Sequence, residues 1–216
     1  PYRRQRQMCI RDRLYTVYNP DGTVDPFLSC RGILMTKESA GNTEILFANP
    51  NPGDYGAIDR WSIPRSVPGA GSYGVTQSLV DAFFMENGLS PILGYENNDY
   101  SKPIINPASG YTETGFSTEP EVRNTGWQEC QGNVNPGQVT MAGAYNMYCH
   151  REARFYIAVL YNRAWFSKTA EGGRQTMFLK GEQDGGISMD APRNGYLQNK
   201  LAHPDRDNVN VTFPYR

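Results

Sequence analysis

Apolar residues recur at helical spacing in one stretch of the chain, residues 76–87. The stripe consists of Leu79, Val80, Phe83 and Phe84. This i, i+1, i+4, i+5 order is typical of a helix that buries one face. Thr76 is a suitable N-cap residue, and Gly88 follows the last turn, where a glycine commonly ends a helix. The pattern therefore predicts a helix over 76–87.

A second helix is predicted over 140–152. Its apolar face would consist of Met141, Tyr145 and either Tyr148 or Cys149. The next run, 155–161, is rich in β-branched and aromatic residues, which favours a strand buried on both faces. Further short strands are predicted at 175–180 and 195–201, joined by glycine-rich turns.

Long irregular stretches separate these elements. Residues 14–29 form a turn-rich segment, in which Asn19-Pro20-Asp21-Gly22 is a strong turn signal, and 44–48 is a short apolar strand. Residues 49–74 are dominated by turn-forming residues, and a loop of that length in a compact domain is usually functional. Residues 89–139 are again long and irregular, with several Asn-Pro and Gly turn signals. The chain contains no internal repeat. The pattern predicts an α+β, loop-rich unit.

Composition supports this interpretation. The 216 residues include 22 Gly and 15 Pro, which turns consume, while 38% are hydrophobic. Tyrosine is the commonest aromatic residue, with 14 copies. Because tyrosine combines an apolar face with a polar tip, this excess fits half-exposed binding surfaces, although tyrosines that pack beneath long loops would give the same count.

The net charge of −1 offers no basic footprint for nucleic acid. The charge is uneven, since residues 1–13 hold five arginines and one aspartate. This head has no apolar period and resembles translated sequencing-adapter DNA, so we interpret 1–13 as a non-native stub and 14–216 as the domain. A short basic arm for anionic lipid or nucleic acid is the alternative.

The cysteines and the apolar runs indicate neither a metal site nor a membrane span. Setting Cys9 aside leaves Cys30, Cys130 and Cys149, an odd number without a CxxC pair, so we expect buried, small apolar residues. No apolar run is long enough to span a membrane. No signal peptide is visible, as expected of a chain that lacks its true beginning.

Three stretches in order resemble the C-terminal half of SusD/RagB-family surface lipoproteins of Bacteroidetes. Residues 74–88, GVTQSLVDAFFMENG, are similar to the family pattern PTQxLVDAFxMxDG, with Val75 in place of proline. Residues 151–162, REARFYIAVLYN, are similar to R-D/E-PRFYAxIxYNG, with Ala153 in place of proline. Residues 194–201, NGYLQNKL, resemble the TGYxxRK strand, and 213–216, FPYR, resemble the start of the PxxRxAE helix.

The resemblance implies a fragment of a mainly α-helical SusD-like fold whose tetratricopeptide-like helices lie outside this chain. It also implies a lipid-anchored protein at the outer-membrane surface, with the anchor absent from this fragment. The implied partners are an oligosaccharide ligand and a SusC-like TonB-dependent transporter. Two alternatives remain, an oligopeptide-binding RagB-like component and a structural lid of the transporter without its own ligand site.

The sequence favours no enzyme and no cofactor. Histidines 150 and 203 lack the neighbours that a metal site needs. The GxGxxG string at 69–74 follows a proline-rich loop instead of a strand, so it fails the context of a dinucleotide site. We expect Asp81 to be a solvated or capping carboxylate and Glu152 to be structural. A glycosidase needs two paired carboxylates, which sequence alone does not reveal.

The candidate ligand site is the loop 49–74. Proteins hold sugars with aromatic plates and planar polar groups. The predicted ligand-binding residues are Trp61, Tyr55, Tyr73, Asp59, Arg60 and, from a second loop, Trp127. Core packing is the competing interpretation for Trp61 and still more for Tyr73. Trp165, just after the predicted strand, is expected to be structural.

Overall fold

The computed structural model describes residues 14–36, 41–42, 44–45, 60–66, 69–123, 137–169, 172–186 and 192–200. The helices in these ranges are α1 (Pro26–Met35), α2 (Gln77–Ala82) and α3 (Ala153–Ala158), with one further helical turn at 60–62. Tight 3₁₀ turns lie at Glu96–Asn98, Pro107–Ser109 and Asn146–Tyr148. The strands are β1 (Val17–Tyr18), β2 (Val24–Asp25), β3 (Ile92–Tyr95), β4 (Pro103–Ile105), β5 (Glu121–Val122), β6 (Gln138–Thr140), β7 (Val159–Tyr161), β8 (Trp165–Thr169), β9 (Gly172–Gln175) and β10 (Tyr196–Gln198).

These strands form two-stranded antiparallel sheets: β1–β2, β3–β4, β5–β6, β8–β9 and β7–β10. In the last pair, Leu197 lies opposite Leu160, which brings the third sequence motif onto the second. The others join strands that follow one another along the chain. The mixed, loop-rich α/β character predicted from the sequence is therefore confirmed.

The core centres on α3 and β7. Phe155, Leu160 and Tyr161 are buried, and the Phe155 and Tyr161 rings stack with centroids 5.2 Å apart. Val80 of α2 and Leu197 of β10 are also sealed inside. Removal of this apolar surface from water is the main stabilising contribution to such a unit.

Helix α1 was not predicted, because residues 14–29 were interpreted as turn-rich. The turn itself is confirmed, since the Gly22 amide donates to the Asn19 carbonyl at 2.9 Å between β1 and β2. The Asp25 carboxylate then accepts a hydrogen bond from the Leu28 amide at 2.8 Å, and Pro26 occupies the first helical position. An aspartate followed by proline is a helix-start signal that the apolar pattern does not contain.

Helix α2 is shorter than predicted. The Thr76 cap is confirmed, since its side chain accepts from the Leu79 amide, but the helix ends at Ala82. Phe83 adopts extended dihedrals, and Met85 forms an antiparallel bridge with Arg151. Gly88 instead closes a turn, donating to the Met85 carbonyl at 2.9 Å. Pairing with 150–152 overrides the helical periodicity of 83–87.

The helix predicted over 140–152 is wrong. Strand β6 ends at Thr140, Gly143 turns the chain with φ 81°, and Asn146–Tyr148 is a single 3₁₀ turn. The strand predicted over 155–161 is correct only for Val159–Tyr161, because Ala153–Ala158 is helical. A short, continuous apolar run fits a buried helix as well as a buried strand.

The remaining predicted strands are partly correct. Strand β10 lies inside 195–201, whereas β9 ends at Gln175, where the predicted strand 175–180 begins. Of the strand predicted at 44–48, residues 44 and 45 are not in a strand, and 46–48 lie outside the described residues.

No helix in the described part of the chain is long and apolar enough to cross a membrane. Cys149 is buried as predicted, and burial raises the pKa of its thiol to about 11. Cys30 is only half-buried, and burial raises its pKa as well. Cys9 and Cys130 lie outside the described residues.

Candidate functional site

The segment 60–73 folds back on itself through backbone hydrogen bonds. The carbonyl of Trp61 accepts from the amides of Ser72 and Tyr73 at 2.8 and 3.0 Å. The carbonyl of Arg60 accepts from the Ala70 amide at 2.8 Å. These bonds fix the backbone beneath Trp61 and Tyr73 without using either side chain.

The two arms of this segment approach closely at Gly69. A Cβ atom at this position would lie 2.2 Å from the carbonyl oxygen of Ile63, so only glycine fits without backbone movement. Ile63 itself is buried in the core. The buried Asp184 carboxylate accepts from the Ser66 hydroxyl at 2.5 Å and from the Met177 amide at 2.9 Å, which anchors the turn from behind.

Trp61 and Tyr73 form a pair of rings that we call the aromatic corner. Their centroids are 5.0 Å apart and their planes meet at 83°, an edge-to-face arrangement that aromatic pairs prefer. Trp61 is 39% exposed and Tyr73 is half-buried. An edge-to-face contact covers only one ring face, so the corner retains aromatic surface that could stack on a ligand.

The aromatic corner is tied to the third sequence motif. The Gln198 amide donates to the Tyr73 carbonyl at 2.8 Å, and the Asn194 side-chain amide donates to the Val75 carbonyl at 2.5 Å. Gly74 lies against Asn194, where a Cβ atom would come within 2.6 Å of its side-chain oxygen. The corner is therefore positioned by strand β10.

The structure describes three of the six predicted ligand-binding residues. Arg60 is exposed and precedes Trp61 in the helical turn 60–62, next to the aromatic corner. Tyr55, Asp59 and Trp127 lie outside the described residues. Trp165, which was set aside as structural, is half-buried in β8.

The three recognised motifs meet in what we call the motif framework, which comprises α2, residues 146–161 and residues 194–198. Arg151 is its centre and is fully buried. Its guanidinium donates to the carbonyls of Val80 and Phe83, and it lies over the Phe155 ring, 5.0 Å from the centroid. It thus supplies donors to two carbonyls at the end of α2, and the Val80 carbonyl also accepts from the Phe83 amide at 3.4 Å. Its Nε atom has no hydrogen-bond partner among the described residues.

Asp81 was expected to be solvated or capping, and this is wrong. It is buried and accepts from Gln77 at 2.7 Å and from the Tyr95 hydroxyl at 2.6 Å. Burial, with the neighbouring Asp81 carboxylate, raises the pKa of Tyr95 to about 12. The Tyr196 hydroxyl donates to Gln77 at 2.8 Å, so this polar chain links α2 to β10 and to β3.

Glu152 has structural contacts. One carboxylate oxygen accepts from the Phe84 amide at 3.0 Å, and the carboxylate also receives two hydrogen bonds from Arg154. The carboxylate thereby fixes the bridge between 84–86 and 150–152. It does not cap α3, which it precedes.

Sequence spacing did not reveal a cluster of Glu86, Glu121 and His150, whose potential metal-ligand atoms all lie within 4.8 Å of one another. Arg123 donates to both carboxylates, so its single positive charge offsets one of their two negative charges. Burial raises the pKa of Glu121, which also accepts from the His150 amide at 3.0 Å and the Tyr156 hydroxyl at 2.8 Å. We assign the cluster to loop anchoring.

Comparison with protein families gives one finding. The model of the SusD family matches residues 38–213, which is most of the chain. The match includes the motif framework and the aromatic corner. Among curated proteins, none matches the chain.

Proposed function

The chain belongs to the SusD family, and on that premise we propose that it binds an oligosaccharide nutrient and delivers it to a SusC-like TonB-dependent transporter at the outer membrane. Proteins of this family bind nutrients at the cell surface, as outer-membrane lipoproteins. The proposal adds the ligand class, the partner and the lipid-anchored location of the complete protein.

The observation that carries the ligand class is the exposed Trp61 ring held edge-on to Tyr73. A sugar ring presents a C–H face that stacks on such a plate, while its hydroxyls need planar polar groups at the rim. Arg60 supplies one such group beside Trp61, and Tyr55, Asp59 and Trp127 are proposed to add further plates and partners. Binding and release at this site require no bond-breaking chemistry.

The test begins with a glycan array probed with the 216-residue chain, followed by calorimetric titration of each oligosaccharide that binds. Trp61→Ala is expected to weaken binding by about tenfold or more, because desolvated aromatic anchors dominate such interfaces. Tyr73→Ala should have a smaller effect, since Tyr73 is half-buried.

Tyr100→Ala is the matched control. Tyr100 is 69% exposed and also packs on another ring, that of Tyr95, at 4.8 Å, but it lies on the β3–β4 hairpin. Its replacement should leave the affinity unchanged. Equal affinity of the Trp61→Ala variant and the wild type would refute the aromatic corner as the site.

Oligopeptides serve as competing probes on the same protein. Binding of peptides but not sugars, with loss of affinity in Arg60→Ala, would replace the oligosaccharide with a peptide ligand. Absence of both would indicate a lid without its own site. A TonB-dependent receptor encoded beside this chain would support the delivery step.

A further inference from the structure

A second cleft lies apart from the aromatic corner, between the segment 110–122 and residues 146–150. Its volume is 530 Å³, within the range of sites that take small molecules. Phe116 is at its edge, and the polar side chains around it include Thr112, Thr118, Glu119, Asn146 and His150. We call it the Phe116 cleft.

The Phe116 ring is set as a plate. Tyr145 covers one face, with centroids 4.5 Å apart and planes at 34°, and the Phe116 side chain is nevertheless 56% exposed. An antiparallel bridge between these two residues fixes the backbone. The Phe116 ring is therefore held in a fixed orientation at the edge of the cleft, and much of its surface stays exposed.

Backbone hydrogen bonds hold the polar wall in place. Asn146 donates from its amide nitrogen to the Gly115 carbonyl at 3.1 Å, and its side-chain nitrogen donates to Thr114 at 3.0 Å. The Asn146 side chain, which lines the cleft, is thereby held in one orientation. His150 adopts φ 55°, and its main chain is held at both ends by Glu121 and Glu86.

The charge of the cleft is one-sided. Glu119 and Glu121 line it together with His150, while none of the described residues that line it is lysine or arginine. Glu121 is already engaged by Arg123, whereas Glu119 is exposed. An anionic ligand would be repelled by the exposed Glu119 carboxylate, and a ligand cation would be attracted to it.

From this geometry we propose that the Phe116 cleft binds a single saccharide ring that is neutral or carries an amino group, and that it discriminates against uronate rings. The ring face stacks on Phe116, the hydroxyls pair with Asn146, His150 and the threonines, and an ammonium group pairs with Glu119. The site is additional to the aromatic corner and does not depend on it.

The experiment uses the ¹⁵N-labelled 216-residue chain and follows amide signals of Ser117, Asn146 and His150 by NMR. The probes are glucosamine, glucose and glucuronate at equal ionic strength and neutral pH. We expect the signals to shift with glucosamine and glucose, and glucuronate to bind several-fold more weakly. Signals unmoved by all three probes, or glucuronate binding as tightly as glucosamine, would overturn the proposal.

Variants separate this site from the first. Phe116→Ala should weaken glucosamine binding by about tenfold, as the loss of one stacked aromatic contact predicts. Glu119→Lys changes an exposed side chain and should reverse the preference towards glucuronate. Trp61→Ala should leave these shifts intact, so the two sites can fail independently. Wild-type behaviour of Phe116→Ala or an unreversed preference in Glu119→Lys would contradict the assignment.

Discussion

The motif framework and the aromatic corner are held together by different kinds of hydrogen bond. In the framework, side chains donate to groups distant along the chain: Arg151 to the backbone carbonyl of Val80, and the Tyr196 hydroxyl to the side-chain oxygen of Gln77. In the corner, backbone groups within 60–73 bond to one another, and the rings of Trp61 and Tyr73 take no part in that ladder.

This difference explains which part of the chain carries a recognisable sequence. A framework built by particular side chains requires those residue types, because a buried carbonyl left unpaired is costly. Within the corner, the backbone bonds constrain residue type chiefly at Gly69, where the two arms approach, while Asp184 and Asn194 hold the segment from outside. The ring positions can then change with the ligand while the supporting backbone persists.

The largest expected effect tests the framework. Arg151→Ala should lower the free energy of unfolding by about 3–5 kcal/mol, because it leaves a cavity and removes the donors for the Val80 and Phe83 carbonyls. Urea unfolding measures the change. Arg151→Met restores most of the volume and isolates the hydrogen bonds, so an intermediate loss is expected.

The matched control is Arg154→Ala. Its side chain is 57% exposed and pairs with Glu152, so the loss should stay within about 1 kcal/mol. If Arg151→Met is as stable as the wild type, the guanidinium does not hold the end of α2 and the contrast with the corner fails.

The second prediction tests the corner through Gly69. Gly69→Ala should destabilise by about 1–3 kcal/mol, because the new methyl group meets the rigid Ile63 carbonyl. The substitution should also weaken oligosaccharide binding, although residue 69 is not a proposed ligand contact, because the backbone that supports both Trp61 and Tyr73 would shift. Near-ultraviolet circular dichroism should record the altered ring pair, with Trp61→Phe identifying its contribution.

Gly74→Ala provides the comparison within the same segment. Its methyl group would meet the Asn194 side chain, which can rotate away more easily than a backbone carbonyl. A smaller loss of stability is therefore expected. Equal losses in both variants would show that close backbone approach is not what shapes the corner.

Local chemistry explains the parts of the fold that sequence predicted. The Thr76 cap and the turn at 19–22 depend on neighbouring residues alone, and both are present. The end of α2 depends on Arg151, which lies far along the chain and takes the carbonyls of the last turn. The apolar spacing of residues 83–87 does not reflect the contact with Arg151. The helix predicted over 76–87 is therefore longer than α2.

The candidate site follows the same division. The sequence predicts Trp61 and Tyr73 as neighbours in one ligand-binding loop, and their rings are in contact. Their perpendicular arrangement depends on the close approach at Gly69 and on the hydrogen bond from β10, which the sequence does not reveal. The Phe116 cleft gave no sequence signal, because Phe116 and Tyr145 are distant along the chain and meet through a single bridge. In addition, the apolar spacing of residues 140–152, which include one wall of the cleft, predicted a helix that the structure does not contain there.

The smallest expected effect lies at the edge of the framework, where Tyr95 donates to Asp81. Burial and the carboxylate raise the pKa of Tyr95 to about 12, above the value of about 10 for a free tyrosine. Folding therefore favours the protonated phenol, and the contribution of this hydrogen bond to the free energy of unfolding is complete below pH ~10 and declines as the pH rises towards ~12.

Tyr95→Phe should lower the free energy of unfolding by about 1 kcal/mol at neutral pH, and this difference from the wild type should shrink between pH ~10 and pH ~12. Urea unfolding of both proteins at several pH values measures it, with Tyr100→Phe as the control on the neighbouring ring. A difference that stays constant or grows up to pH ~12 would mean that the Tyr95 hydroxyl is not held by Asp81, and the polar chain from α2 would then end at Asp81.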